Sequence, residues 1–168
     1  MQNVGIFYGS DTGNTEDAAK LLQKEFGSDK VQIFDVAKAK ADDMKPFSNL
    51  IFGASTWGEG DMQEDFEEFI SEIQSANLEG KKIAIFGCGD QEAYADSFVD
   101  AIGLIYEALD EKGCEVVGKI STEGYEYDES QAEVGGQFVG LPLDDDNESD
   151  LTGDRIKKWV EQLKKEFN

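Results

Sequence analysis

The chain has 168 residues, 39% of them hydrophobic, and its 37 acidic and 15 basic residues give a formal charge of -22. The length suits one domain, and apolar segments along the whole chain favour a globular fold over a disordered acidic polypeptide. The charge argues against binding to nucleic acid or membranes, and no apolar run approaches the roughly 20 residues that span a bilayer, so we expect a cytoplasmic protein.

The predicted elements alternate between short apolar strands and amphipathic helices. Strands are expected at residues 4–8, 31–36, 49–54, 82–88 and 114–117. Apolar residues recur at helical spacing over residues 18–26, 66–73, 98–109 and 156–167. Because right-handed crossovers cover both faces of a sheet, this order predicts an α/β fold. We expect a doubly wound five-stranded parallel sheet, flanked by helices on both faces, in a single domain over residues 1–168.

A polar segment interrupts this alternation near the end of the chain. Between about residues 119 and 138 the sequence is rich in Gly, Glu and Tyr, and it then returns to an apolar run at 138–141. This pattern predicts that a loop of about 20 residues interrupts the last strand. A functional role and surface decoration both remain open for it. The acidic run from Asp144 to Asp150 is expected to be a solvated loop whose end favours the N-terminus of the last helix.

The loop after the first strand is dense in hydroxyl groups and opens directly into a helix. It reads Gly9-Ser10-Asp11-Thr12-Gly13-Asn14-Thr15. Free N–H groups at a helix N-terminus favour an anion, and the hydroxyls can add donors, so this loop suits a bound phosphate. The glycine spacing fits neither the dinucleotide fingerprint nor the triphosphate loop, which argues against NAD and ATP. A simple N-cap turn is the alternative.

Two further loops are expected at the same edge, because ligands of open α/β sheets bind at the carboxyl ends of the strands. One contains Ser55-Thr56-Trp57-Gly58-Glu59-Gly60, and the other contains Gly87-Cys88-Gly89-Asp90-Gln91 followed by Tyr94 and Asp96. Trp57 and Tyr94 could sandwich a planar heterocycle, although a tryptophan folded back onto the surface is the alternative. A phosphate cradle beside two aromatic rings indicates a planar ligand with one phosphate, which is the shape of FMN.

These three motifs resemble the FMN loops of flavodoxins, and the interrupted last strand resembles their long-chain class. The resemblance implies that residues 10–15 hold the phosphate, that Trp57 and Tyr94 lie on the inner and outer flavin faces, and that Asp90 lines the pyrimidine edge. It also implies that the Gly58–Glu59 peptide turns its carbonyl toward the flavin on reduction, a movement for which glycine is suited. The expected FMN-binding residues are Ser10, Asp11, Thr12, Gly13, Asn14, Thr15, Ser55, Thr56, Trp57, Gly58, Gly60, Cys88, Gly89, Asp90, Tyr94 and Asp96.

The same resemblance implies a function as a low-potential one-electron carrier with non-covalently bound FMN, not an enzyme. The expected partners are a basic flavoprotein reductase of the NADPH-dependent type and low-potential metalloenzyme acceptors, which the negative charge would attract. A monomer is expected. The alternative is a flavin-dependent quinone or NAD(P)H oxidoreductase on the same fold. A phosphoryl-accepting receiver domain fits poorly, because Ser55, Thr56 and Trp57 follow the third strand where it needs an aspartate.

The cysteine and histidine content argues against metal chemistry. Cys88 and Cys114 are the only cysteines, and the chain has no histidine. Neither a disulfide scaffold nor a standard zinc site is therefore expected. Cys88 ends a buried strand without a basic neighbour, so we expect a small core residue and not a redox thiol.

Overall fold

The computed structural model describes residues 3–168 as ten strands and four helices. The strands are β1 (Val4–Gly9), β2 (Val31–Asp35), β3 (Asn49–Trp57), β4 (Asp61–Met62), β5 (Lys82–Cys88), β6 (Glu115–Val116), β7 (Ile120–Ser121), β8 (Glu133–Val134), β9 (Gln137–Phe138) and β10 (Leu141–Leu143). The helices are α1 (Asn14–Phe26), α2 (Glu64–Ser75), α3 (Asp100–Ala108) and α4 (Asp145–Glu166), with a 3-10 turn at Ala41–Met44. Within the described residues, no helix is long and apolar enough to cross a membrane.

A parallel sheet with the strand order β2-β1-β3-β5-β10 forms the centre of the fold. The order reverses after β2, so successive crossovers place helices on opposite faces of the sheet. The predicted doubly wound α/β architecture is confirmed.

The last strand of the sheet consists of two separate pieces. β6 pairs with the start of β5, at Lys82 and Ile83, and β10 pairs with its end, at residues 86–88. Between the two pieces, β7, β9 and β8 form a small antiparallel sheet. The expected loop therefore contains regular structure, but each of its strands has only two residues, which is too short for an alternating pattern in the sequence.

Two hydrophobic clusters cover the two faces of the sheet, because alternate strand residues point to opposite sides. Phe7 of β1 lies in the cluster beneath α2 and α3, together with Phe66 and Ile102. Its neighbour Ile6 lies in the other cluster, beneath α1 and α4, together with Trp159. All five side chains are fully buried. The two cores fix the sheet rigidly and leave its carboxyl edge as a platform for the loops.

The acidic segment at residues 144–150 differs from its expected form as a solvated loop. Asp144 is completely buried, and its side chain caps α4 by accepting a hydrogen bond from the N–H of Asn147 at 3.0 Å. The helix begins at Asp145 and carries one non-helical residue, Glu148, in its first turn. The expectation of a loop before the helix was wrong, because α4 already begins at Asp145; the carboxylates do favour the helix N-terminus, as expected, but they form its first turn.

Candidate functional site

The three predicted loops lie at one edge of the sheet, because β1, β3 and β5 are neighbours in register. Gly9 at the end of β1 pairs with Ala54 of β3, and Ala54 pairs with Gly87 of β5. The three loops that follow these strands therefore begin side by side at the edge of the sheet. The first two loops also contact each other directly, since the hydroxyl of Thr15 donates to that of Ser55 at 3.4 Å.

The loop after β1 leaves an open helix N-terminus. The N–H of Gly13 donates to the Ser10 hydroxyl at 3.0 Å, and the first bond of α1 runs from the N–H of Asp17 to the carbonyl of Gly13 at 2.8 Å. In the described part of the chain, the N–H groups of residues 14–16 donate to no protein acceptor. With no lysine or arginine in residues 10–15, this donor set is neutral and suits an anion.

The Asp11 carboxylate in this loop is bound by a residue that the sequence analysis did not identify. Its Oδ1 accepts a hydrogen bond from Gln63 Nε2 at 3.1 Å. Gln63 is fully buried and lies just before α2, where its Oε1 accepts from the N–H of Phe66 at 2.9 Å. Nothing in the local sequence pattern signals that the other end of this amide reaches the loop after β1.

The loop after β3 is a tight antiparallel turn that presents Trp57 at its start. Trp57 pairs with Asp61 of β4, and the turn between them contains two glycines in the left-handed region, Gly58 at a φ of 51° and Gly60 at a φ of 105°. A side chain at either position would strain the backbone. A Cβ built on Gly58 meets nothing within 4 Å, so the position is open on that side and its constraint is the backbone conformation alone.

Two hydroxyl groups tie this turn to the first turn of α3 and to the residues just before it. The side-chain oxygen of Thr56 accepts from the N–H of Ala101 at 2.9 Å, and the hydroxyl of Ser97 donates to the carbonyl of Gly58 at 3.4 Å. The turn after β3 and the loop after β5 are therefore fastened to each other. The side-chain oxygen of Thr56 is thus engaged within the protein.

Asp90 shapes the loop after β5 through its own carboxylate. Its Oδ1 accepts from the N–H groups of Glu92 and Ala93, at 3.0 and 2.8 Å, and from the side-chain amide of Asn147 at 2.7 Å. Partial burial acts to raise the pKa of Asp90, but these three hydrogen bonds outweigh it, and the pKa falls below its ordinary value. Asp90 is thus ionised and holds the turn that carries Tyr94.

The remaining predicted residues of this loop differ in their exposure. Cys88 is buried at the end of β5, and burial raises the pKa of its thiol to about 12. Gly89 continues the sheet by donating its N–H to the carbonyl of Leu143 at 2.9 Å. Asp96 is exposed. Because its side chain is buried, Cys88 supports the loop as a core residue beneath it.

Trp57 and Tyr94 are exposed to an unusual extent for large rings. They are 40% and 44% exposed, and among the described residues only Val134 and Leu151 are comparable large hydrophobic side chains. Both rings belong to the loops at the carboxyl edge of the sheet. Exposed aromatic faces beside an open helix N-terminus form a surface on which a flat phosphorylated ligand can stack.

The insertion between β6 and β10 supports the loop of Tyr94 from behind. The N–H groups of Asp128 and Glu129 both donate to the carbonyl of Ala95, at 2.8 and 3.0 Å. Four rings join the insertion to the segment before α3, with centroid separations between 5.2 and 6.2 Å: Phe98, Tyr125, Tyr127 and Phe138.

Sequence reasoning also missed the polar residues beneath the loop after β5. Asp144 binds both the N–H and the side-chain amide of Gln91, and both residues are buried. Glu148 and Asn147 extend the same network. An aspartate just before a helix signals an N-cap, but the contact with Gln91 spans 53 positions and leaves no local pattern.

The chain is similar along its whole length to characterised proteins. A family model described as Flavodoxin matches residues 6–159. "Flavodoxin" of Nostoc sp. is 48% identical over 166 residues, covering 99% of this chain and 98% of that protein. "Flavodoxin 1" of Escherichia coli is 40% identical over 169 residues, covering 100% of this chain and 96% of that protein. A crystal structure of Fusobacterium nucleatum flavodoxin bound to flavin mononucleotide superposes with a TM-score of 0.95 at 32% identity, covering 100% of both chains.

Proposed function

Since the chain belongs to the flavodoxin family, we propose that the three loops at the carboxyl edge of its sheet hold FMN. The protein is an FMN-dependent electron carrier and not an enzyme. Bound FMN supplies the one-electron redox chemistry. The alternative of a flavin-dependent oxidoreductase is not favoured, because the relatives that cover the whole chain are flavodoxins.

One observation carries the proposed site. The open N–H groups of residues 14–16 lie at the same sheet edge as the exposed rings of Trp57 and Tyr94. The donors suit a phosphate and the rings suit a planar heterocycle, so the donor set and the surface fit FMN.

Each part of this edge has a distinct task in the proposal. The N–H groups of residues 14–16, with the hydroxyls of Ser10 and Thr12, bind the phosphate. Trp57 and Tyr94 cover the two faces of the ring and keep water away from it. The 58–59 peptide is proposed to reorient on reduction, for which the left-handed φ of Gly58 is suited, and this movement would break the long hydrogen bond of 3.4 Å that its carbonyl accepts from the Ser97 hydroxyl. Asp90 fixes the turn along the edge of the ring.

An anaerobic reductive titration of the FMN-loaded protein tests the proposal. Two separated one-electron steps in the visible spectrum are expected. Failure to bind FMN would overturn the site. A single two-electron step, together with steady NADPH consumption by the protein alone, would indicate the oxidoreductase.

As a flavodoxin, the protein exchanges electrons with partner redox proteins. We propose a basic, NADPH-dependent flavoprotein reductase as the donor and low-potential metalloenzymes as acceptors, with the cytoplasm as the compartment of this exchange. The formal charge of -22 supports basic docking partners. Electron transfer from such a reductase should slow steeply as salt rises, because salt screens the attraction. A rate that is insensitive to ionic strength would contradict electrostatic docking.

A further inference from the structure

Asp11 places a carboxylate inside the loop that is proposed to bind the phosphate of FMN. Its charge has the same sign as the phosphate. Aspartate side chains also commonly accept hydrogen bonds from N–H groups two or three residues further along, which here belong to Gly13 and Asn14. An unrestrained Asp11 could therefore cap α1 itself and compete with the phosphate for the same donors.

The structure keeps Asp11 out of that competition. Its carboxylate accepts from Gln63 Nε2 at 3.1 Å and from none of the N–H groups of residues 13–16, within the described part of the chain. The contact joins the loop after β1 to the start of α2, 52 positions away in sequence.

Gln63 is held rigidly enough to act as an anchor. Its N–H donates to the carbonyl of Ser55 at 2.9 Å, its Oε1 accepts from the N–H of Phe66 at 2.9 Å, and its Nε2 also donates to Asp65 at 3.0 Å. A Cβ built on Gly9 would lie 2.1 Å from Gln63 Oε1, so the end of β1 admits this side chain only because residue 9 is glycine.

We propose that Gln63 is a positioning residue for the phosphate site: it holds the Asp11 carboxylate against α2 and so keeps the first turn of α1 open for the phosphate of FMN. This inference rests on the proposed function of that loop. Its specific consequence is that Gln63 affects binding of the phosphate and not binding of the flavin ring.

Riboflavin, which has the ring but no phosphate, separates the two contributions. The experiment measures dissociation constants of the apoprotein for FMN and riboflavin by fluorescence quenching, and the readout is their ratio. Gln63→Glu keeps the oxygen that caps α2 but replaces the donor to Asp11 with a second carboxylate oxygen. We expect the preference for FMN over riboflavin to fall about tenfold, with riboflavin affinity unchanged.

Two further proteins separate the contact with Asp11 from the added charge. The exchanged pair Asp11→Asn with Gln63→Glu has the total charge of the wild type and can form the same hydrogen bond in the opposite direction, so it should restore the preference. Gln74→Glu adds the same charge at an exposed position on α2 and should leave the preference unchanged. A wild-type preference in Gln63→Glu, or an exchanged pair no better than Gln63→Glu, would overturn the inference.

The neutral variant Gln63→Met covers the case in which Gln63→Glu does not fold. Adding Asp11→Asn to Gln63→Met should raise the preference for FMN about tenfold, because it removes the competing carboxylate. No rise would overturn the inference. If the wild-type protein itself binds FMN no more tightly than riboflavin, the proposed phosphate site fails instead, so the two failures are distinguishable.

Discussion

The fully buried carboxylate of Asp144 accepts two hydrogen bonds from Gln91, one from its main-chain N–H at 3.1 Å and one from its side-chain amide at 2.9 Å. The other side-chain atom of Gln91, Oε1, accepts from the N–H of Glu126 at 2.6 Å. The start of α4, the loop after β5 and the insertion thus meet at a single amide side chain. The loop that carries Tyr94 is held from beneath by charge-assisted hydrogen bonds.

Removing the Asp144 carboxylate should destabilise the protein strongly. Asp144→Ala leaves the buried donors of Gln91 unpaired, and we expect the free energy of unfolding to fall by about 2–4 kcal/mol. Urea unfolding of the apoprotein measures this change.

Asp146→Asn provides the matched control in the same acidic segment. Asp146 is exposed, and partial burial together with the neighbouring carboxylates Asp90, Asp144 and Asp145 raises its pKa. Its charge is therefore unfavourable at neutral pH, and its removal should be neutral or slightly stabilising. Equal losses in the two variants would contradict the distinct role of Asp144.

The exposed rings should contribute to FMN affinity and not to the fold. Trp57→Ala and Tyr94→Ala should each weaken FMN binding by about tenfold or more, since each stacked aromatic ring contributes roughly 1–3 kcal/mol. Fluorescence titration of the apoprotein with FMN gives the affinity, and urea unfolding shows whether the fold is intact.

Leu151→Ala is the control for these ring variants. Leu151 is 37% exposed, similar to Trp57 at 40%, but it lies on α4 and not on the loops at the carboxyl edge. FMN affinity should be unchanged in this variant. A comparable loss in Leu151→Ala would show that the ring variants act through general destabilisation.

The sheet and the position of the site could be predicted because both depend on local patterns. A short continuous apolar run, such as residues 82–88, is recognisable in the sequence as a buried strand. The loops at the carboxyl ends of such parallel strands share one edge of the sheet. The anchors Gln63 and Asp144 could not be predicted in this way. Their partners, Asp11 and Gln91, lie 52 and 53 positions away, so only the folded chain brings the groups together.

The small sheet in the insertion was missed for a related reason. Strands of two residues, such as Glu133–Val134, have no alternation to recognise. Their stability depends on ring packing between distant parts of the chain. Phe98, just before α3, lies 6.2 Å from Phe138 of β9, measured between ring centroids. The polar composition of this segment correctly marked an interruption, but it concealed the aromatic cluster that orders it.

The thiol of Cys88 should give a distinct alkaline dependence of stability. Burial raises its pKa to about 12 from the ordinary 9.0. Between these pH values the thiol loses its proton in the unfolded chain but keeps it in the folded chain. The contribution of the buried thiol to the free energy of unfolding is therefore fully present below about pH 9 and declines as the pH rises toward 12. The stability difference between the wild type and Cys88→Ala should therefore shrink above pH 9.

Urea unfolding of both proteins at several values between pH 8 and pH 10.5 tests this dependence, using roughly the interval in which an ordinary thiol ionises. Cys114 is present in both proteins, and burial raises its pKa as well, so its contribution cancels in the difference. A stability difference that stays constant across this range would show that the Cys88 thiol ionises normally in the folded protein.

Arg155 should not be replaceable by lysine, although the charge is the same. Its guanidinium lies 4.2 Å from the centroid of the Tyr125 ring, and its Nη2 donates to Glu148 at 2.9 Å and to the carbonyl of Gly124 at 3.3 Å. The side chain is only 14% exposed. A planar group can stack and donate at once, whereas an ammonium group cannot, so Arg155→Lys should cost about 1–2 kcal/mol of unfolding free energy. Tyr125→Leu removes the stacking surface, and in that background the cost of Arg155→Lys should become smaller. An undiminished cost would assign the effect to Glu148 and Gly124 alone, and the stacked ring would then have no share in holding the insertion against α4.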